Sequence, residues 1–360
     1  MIDAGRFFVP GPTEVRPEVL DAMRRPLIFH RNADMEALMQ RANAGLRTVF
    51  GTMRAVHVIT GSGTSGLEML IRNGATKRVL SIIHGDFGER FAKIAEACGR
   101  DVVRLRSVPG DVVPLDQIRD ALKIGGFDSV LATHSETALG VRADIAGIAA
   151  LVREHEGCLL LVDAVSSAGA MRIAMDDWGV DGVVSASQKA LALPPGLAFA
   201  AVSARFVARA KGLTDRGTYL DVLRYEEFTA KHQSPTTPAI SLLFALDRQM
   251  ADVERETLAT RFARHDSMLA ACSAWVDEKG AALGLSHMTK AAHRSPSVTC
   301  IRTAGKTADV LVAMRELGFE LGGGQGDFTG NTFRVGHMGD HTVPGMTAML
   351  HVLERVLPKR

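Results

Sequence analysis

"CLLLVDAVSSAGAMRIAMDDWGVDGVVSASQKALALPPG", residues 158–196, contains two short apolar runs that each lead to a charged group. The first, CLLLVDA (158–164), closes on Asp163, and the second, DGVVSAS (181–187), leads into Gln188 and Lys189. Neither alternates polar with apolar residues, which is the pattern of strands buried on both faces of a sheet. A lone carboxylate in such company is costly unless it is partnered or used, although an aspartate there can also simply cap the next turn. An ordinary lysine lays its stem on apolar ground and keeps its ammonium in water. Lys189 stands instead at a strand end, before Ala-Leu-Ala-Leu-Pro-Pro-Gly. A desolvated lysine there becomes a nucleophilic amine suited to Schiff-base chemistry.

The same texture extends outward. AVHVIT (55–60), RVLSII (78–83), DVVRLR (101–106), DSVLATH (128–134) and GLAFAAVS (196–203) read as further strands. Between them lie helical patterns such as GERFAKIAEACG (88–99), LDQIRDALKIG (115–125) and IAGIAALVREHEG (145–157), several ending in glycine as helix C-termini do. This alternation predicts an α/β domain with a mostly parallel sheet flanked by helices. After the turn-rich KHQSPTTPA (231–239) comes one long amphipathic stretch over about 240–280. Strands SVTCIRT (297–303), FELGGG and NTFRVGHM follow, with helices over 307–318 and Val343 to Val356, and predict a small C-terminal α+β domain. The expected division is an N-terminal segment 1–20 that reaches the active site, a large domain 21–255 and a small domain 256–360.

Composition excludes several classes. Forty-two basic and 40 acidic residues leave a net charge of +2 over 360 residues, with no basic run, so no nucleic-acid footprint is expected. Hydrophobic content of 46% and charged content of 23% suit a globular enzyme. No apolar stretch approaches the roughly 20 residues of a membrane span, and the first residues lack the pattern of a secretory signal. Cys98, Cys158, Cys272 and Cys300 lie far apart, without C-x-x-C, so no metal site is expected and the thiols read as reduced and cytoplasmic.

In open α/β sheets ligands sit beyond the carboxyl ends of the strands. Asp163 and Lys189, 26 positions apart, fall at two such ends. A lysine for a Schiff base and a carboxylate for a pyridinium nitrogen are the protein groups that pyridoxal 5'-phosphate requires. The stretch VHVITGSGTSGLEMLI (56–71) then gains a task. Its Gly61, Gly63 and Gly66 spell G-x-G-x-x-G, with Asp86 twenty positions past Gly66, as in a dinucleotide site. The N–H groups of Ser62, Gly63 and Thr64 can equally hold a cofactor phosphate at a helix N-terminus near Ser65, with Ser65 and Glu68 as a capping box.

Residues 159–196 resemble the cofactor segment of the class V, fold-type I pyridoxal-phosphate aminotransferases, nearest to the alanine–glyoxylate, serine–glyoxylate and serine–pyruvate enzymes. The likeness runs through FVPGPTEVRPEVLDAM (8–23), TGSGTSGLE (60–68), THSETALGV (133–141) and FRVGHMG (333–339), nearly the whole chain. It implies that Lys189 carries the cofactor and Asp163 faces its ring nitrogen. Ser62, Gly63, Thr64 and Gln188 match positions around the phosphate, and Thr137 matches a hydroxyl near the ring. Phe87 stands where close relatives stack a tryptophan on the ring. Gln233 and Thr236 match a segment that reaches the neighbouring subunit's cofactor, which implies a homodimer with sites at the interface.

Arg334 stands where the family binds the substrate α-carboxylate, a task suited to a guanidinium fork. The partners implied are a small amino acid, alanine or serine foremost, and a 2-oxo acid such as glyoxylate or pyruvate. His337, His30 and Arg31 are nearby candidates for the substrate side, with a satisfied turn as the plainer reading of His337. Alternatives remain at this level: a 2-aminoethylphosphonate or phosphoserine transaminase, a cysteine desulfurase using Cys300, a nicotinamide-dependent oxidoreductase, or a silent scaffold.

Overall fold

The computed structural model describes residues 5–357. Residues 1–4 and 358–360, the extremities of the first and last expected units, lie outside the described residues. After a two-residue strand β1 (Phe7–Phe8) come β2 (Val56–Thr60), β3 (Arg78–Ile83), β4 (Asp101–Arg106) and β5 (Ser129–Thr133). A small hairpin of β6 (Ser135–Glu136) and β7 (Val141–Arg142) precedes β8 (Leu159–Asp163), β9 (Gly182–Ala186) and β10 (Leu197–Val202). All seven long apolar runs of the first two-thirds therefore form strands, and together they make one sheet in the order β2-β10-β9-β8-β5-β3-β4. Only β10 runs against its neighbours β2 and β9.

The absence of alternation has its physical reason in two apolar layers. Leu160 and Val162 of β8 face helices Ala33–Phe50, Leu115–Ile124, Ile145–Arg153 and Ile240–Glu256. Leu159 and Leu161 face the other layer, with helices Gly63–Gly74, Asp86–Ala97 and Ala204–Lys211. Successive side chains of a strand point to opposite faces, so a strand covered twice must be apolar throughout.

A second sheet holds β11 (Leu285–His287), β12 (Val298–Thr303), β13 (Glu320–Gly323) and β14 (Thr332–Gly336), in the order β1-β13-β14-β12-β11. Its core joins Phe8, Phe333 and Val335 to Met268 and Trp275 of helix Leu258–Leu283 and to Met346 and Leu350 of helix Val343–Val356. The chain's beginning is thus stitched into the C-terminal sheet before it passes the carboxyl ends of the large one.

The amphipathic stretch 240–280 is not one helix. It breaks at Thr257, whose φ of 66° no continuous helix allows, between Ile240–Glu256 and Leu258–Leu283. The Thr257 hydroxyl accepts from the Thr260 N–H and restarts the helix. Arg261, 2% exposed, secures the joint. It pairs with Glu256 and Asp340 at 2.8 and 2.9 Å and donates to the Gly169 and Ala190 carbonyls. Arg16 reaches the same Asp340 at 2.6 Å and Asp252 at 2.7 Å. Removing one member of a buried charged network leaves its partners desolvated and unmatched. Arg261→Ala is accordingly expected to lose about 3 kcal/mol in urea unfolding; an unchanged midpoint and slope would show that the joint does not depend on it.

Candidate active site

Because β2, β3, β5, β8 and β9 all run the same way, their carboxyl ends deliver side chains to one rim. There a cleft of about 290 Å³ is lined by Ser62, Gly63, Thr64, Phe87, Thr137, Asp163, Gln188 and Lys189, eight of the residues singled out in the sequence. Gly11, Pro12, Arg90 and Ser166 join them. A larger groove of about 700 Å³ between helices Ala33–Phe50 and Ile240–Glu256 contains none of these groups. Size alone does not mark the site; convergent polar chemistry does.

Lys189 follows β9 and is 9% exposed. Its amine donates to the Pro10 carbonyl of the N-terminal segment. Gly11 has φ +102°, and a Cβ on it would lie 2.6 Å from Lys189 Cδ, so only glycine lets that segment close on the lysine. Burial pulls the amine down to about 8, helped by the Arg334 charge and opposed by Asp163. Asp163 ends β8, and one of its oxygens accepts from the Val165 N–H at 2.9 Å while the other has no protein partner among the described residues. Burial pushes this carboxyl up to about 6, against the Val165 bond and the Lys189 charge.

Helix Gly63–Gly74 starts at Gly63, with Ser62 as its N-cap, and not near Ser65. The capping box does not form. Ser65 turns its hydroxyl back to the Ser62 carbonyl, and Glu68 pairs with Arg72 at 2.6 Å. The Ser62 side chain makes no cap bond, so the Gly63 and Thr64 N–H groups have no protein acceptor among the described residues. None of Gly61, Gly63 and Gly66 has a positive φ. Added Cβ atoms on Gly63 and Gly66 would meet Val165 and Val184 at 2.9 and 2.7 Å. These glycines let the helix lie close on β9 and aim its N-terminus into the cleft. Asp86 does not line the cleft; it faces the loop at Gly326.

Phe87 is half-buried, with Lys189 Nζ 5.7 Å and the Arg90 guanidinium carbon 5.1 Å from its ring centre. The Thr137 hydroxyl lies 2.6 Å from that of Ser166. Arg334, on β14, comes from the second sheet. It donates from Nε to the Gly323 carbonyl, and from Nη1 to Gln325 at 2.9 Å and to the Thr137 carbonyl at 3.4 Å. No carboxylate pairs with it among the described residues, and burial lowers its pKa.

The remaining candidates lie outside the cleft. Gln233 and Thr236 do not line the cleft; Gln233 bonds Arg31 at 3.0 Å and Glu36 at 2.7 Å. His337 is fully buried away from it, between the Pro296 carbonyl and the Thr299 hydroxyl. Cys300 is buried in β12, where burial pushes its thiol up to about 11. Glu136 escaped sequence reading altogether. It is fully buried and accepts from the Phe87, Gly88 and Ala138 N–H groups. The rule that singled out Asp163, an acid closing an apolar strand, does not reach it, because Glu136 lies three residues past β5 in the hairpin that follows.

The groups left open fit pyridoxal phosphate. Two unclaimed N–H groups at a helix N-terminus suit a phosphate. The Gln188 amide lines the cleft with its oxygen unpaired among the described residues, so it is free to turn its NH₂ toward a phosphate, and one Asp163 oxygen is unclaimed among them and can accept from a ring N–H. The family model "Aminotransferase class-V" matches residues 7–325. A "Soluble hydrogenase, small subunit" of Synechococcus is 33% identical over 99% of this chain and 94% of its own. An L-aspartate–glyoxylate aminotransferase of Paracoccus denitrificans is 33% identical over 95% of this chain and 88% of its own. The crystal structure of an alanine–glyoxylate aminotransferase from Nostoc superimposes with a TM-score of 0.92 at 29% identity, covering 98% of this chain and 95% of the other. With that fold and that cleft, the chain belongs to the class V aminotransferases, pyridoxal-phosphate enzymes of fold type I.

Proposed function

We propose that this aminotransferase moves the amino group of a small amino acid, alanine or serine foremost, to a 2-oxo acid such as glyoxylate or pyruvate in two half-reactions. The convergence of Lys189, Asp163 and the open N-terminus of helix Gly63–Gly74 in one cleft carries the reading. The glyoxylate in the names of the Paracoccus and Nostoc relatives supports the acceptor.

The Gly63 and Thr64 N–H groups, with Ser62 and Gln188, would hold the phosphate, Asp163 the ring nitrogen, Thr137 the ring hydroxyl side and Phe87 the ring face. The cofactor, once bound through Lys189, supplies an electron sink for the bonds at the substrate Cα. Lys189, freed when the substrate amine displaces it, would take the Cα proton on Nζ as a base and deliver it as an acid to the cofactor carbon it had been bonded to, a role suited to an amine whose pKa is pulled down to about 8. Arg334 exchanges its bond to the Gln325 amide for a two-pronged bond to the substrate carboxylate, which orients the Cα–H bond.

The same reading assigns residues 21–255 to cofactor binding, 256–360 to a small domain that supplies Arg334, and 1–20 to a segment that closes on Lys189. It places the enzyme in the cytoplasm as a homodimer. Four free thiols, and the absence of any helix long and apolar enough to cross a membrane among the described residues, support the compartment. Gln233 and Thr236, standing outside their own chain's cleft, are the residues we assign to the neighbouring subunit's cofactor.

Lys189→Ala is expected to lose the near-visible absorbance of the bound cofactor and about a thousandfold or more in turnover; a variant keeping both would overturn the role. Arg334→Ala is expected to raise KM for the amino donor about 10- to 100-fold, the worth of charge-assisted hydrogen bonds. A donor screen that found KM unmoved would place the carboxylate elsewhere. Because only the neutral amine attacks an aldehyde, capture of added pyridoxal phosphate by the apoenzyme should quicken about tenfold per pH unit and level off above about 8. A stopped-flow rate that kept rising about tenfold per unit beyond about pH 9 would contradict a lowered Lys189 pKa.

A further inference from the structure

Glu136 is 0% exposed, yet it lies in the hairpin that follows β5 and not in a surface ion pair. An isolated carboxylate does not survive such burial without strong hydrogen bonds. One oxygen accepts from both the Phe87 and Gly88 N–H groups at 3.0 Å, and the other from the Ala138 N–H at 2.9 Å. The first two donors belong to the opening turn of helix Asp86–Ala97, where the helix dipole favours a negative charge. Gly85 makes the approach possible, since a Cβ there would lie 2.7 Å from Glu136 Cγ.

The same residue anchors the turn that follows it. Its backbone carbonyl accepts from the Gly140 N–H at 2.8 Å, closing the loop that carries Thr137. From that loop the Thr137 carbonyl meets Arg334 Nη1 and its hydroxyl meets Ser166. A single carboxylate therefore joins the helix end bearing Phe87 to the loop on which Arg334 rests.

We propose that Glu136 is a positioning residue, whose carboxylate holds Phe87 against the face of the bound cofactor. The inference rests on the reading that the cleft binds pyridoxal phosphate. The Phe87 ring is half-buried and packs on one side against the cluster of Ala138, Leu139 and Val141, and the Glu136 carboxylate fixes the backbone N–H from which that ring projects. Stacking between flat rings depends on offset and separation, and a displaced ring forfeits it. A glutamine at 136 presents one oxygen and one NH₂ group to the same three N–H donors. Whichever way it turns, at least one donor then faces another donor.

The test is a double-mutant cycle read by cofactor binding. Apoenzymes of the wild type, Glu136→Gln, Phe87→Leu and the double variant are titrated with pyridoxal phosphate, recording Kd and the visible circular dichroism of the bound cofactor. Each single variant is expected to weaken binding up to about tenfold and to diminish the dichroic band, as the loss of one aromatic stack would. The double variant should bind within about twofold of Phe87→Leu, because the carboxylate acts through the ring that is already gone. Multiplying effects would overturn the proposal. So would a Glu136→Gln protein with a lowered Tm but wild-type Kd and dichroism, which would leave the carboxylate as a helix cap only. Gly85→Ala, which crowds the Glu136 stem without altering its charge, carries the same comparison should Glu136→Gln not accumulate. A wild-type protein that binds no cofactor would instead refute the functional reading, before any variant is compared.

Discussion

The Lys189 amine is buried at the carboxyl end of β9, donating to the Pro10 carbonyl and facing the Asp163 carboxylate. Water is largely excluded there, so each charge must be balanced by a group brought from elsewhere in the chain. Asp163 comes from the adjacent strand and Pro10 from a segment whose start is sewn into the second sheet, whereas Arg334, from that sheet's β14, adds a like charge that disfavours the ammonium. The result is an amine with its pKa lowered and a carboxyl with its pKa raised, side by side, where perturbed groups tend to mark function. Arg261, donating to the Ala190 carbonyl one residue after the lysine, ties this point to the joint between the two long helices.

Two helix N-termini meet at the rim and are treated differently. That of Gly63–Gly74 is left open, because its Ser62 cap makes no side-chain bond and its glycines let it lie close on β9. That of Asp86–Ala97 is filled by the internal Glu136 carboxylate. An open N-terminus attracts an external anion, and a filled one has its charge already satisfied. The difference separates a candidate phosphate site from an internally capped terminus in otherwise similar strand–turn–helix units.

Much of this was legible in order. The seven runs of the large sheet, and the small-domain strands and last helix, follow from apolar patterning and turn residues. So did Asp163 and Lys189, because a charge at the end of an apolar run is conspicuous. The break at Thr257 was not, since a threonine with positive φ leaves no trace in an amphipathic pattern that continues across it. Nor was the start of helix Gly63–Gly74: Ser65 and Glu68 have the spacing of a capping box, but close packing on Val165 and Val184 places the first turn two residues earlier. His337 shows the converse, a candidate polar group that proved to be satisfied within its own sheet.

Sequence by itself determined the period of burial, hence the strands and helices, and the chemical kinds of group at their ends. It also determined where glycine permits what a Cβ would forbid, as at Gly11 beside the lysine stem. Tertiary structure decided which of those groups share a cleft. Arg334 and Glu136 are nearly 200 positions apart and belong to different sheets, yet they meet around the Thr137 loop. Hydrogen bonds and desolvation act over a few ångströms, and that distance is set by the packing of whole layers, which no local pattern records.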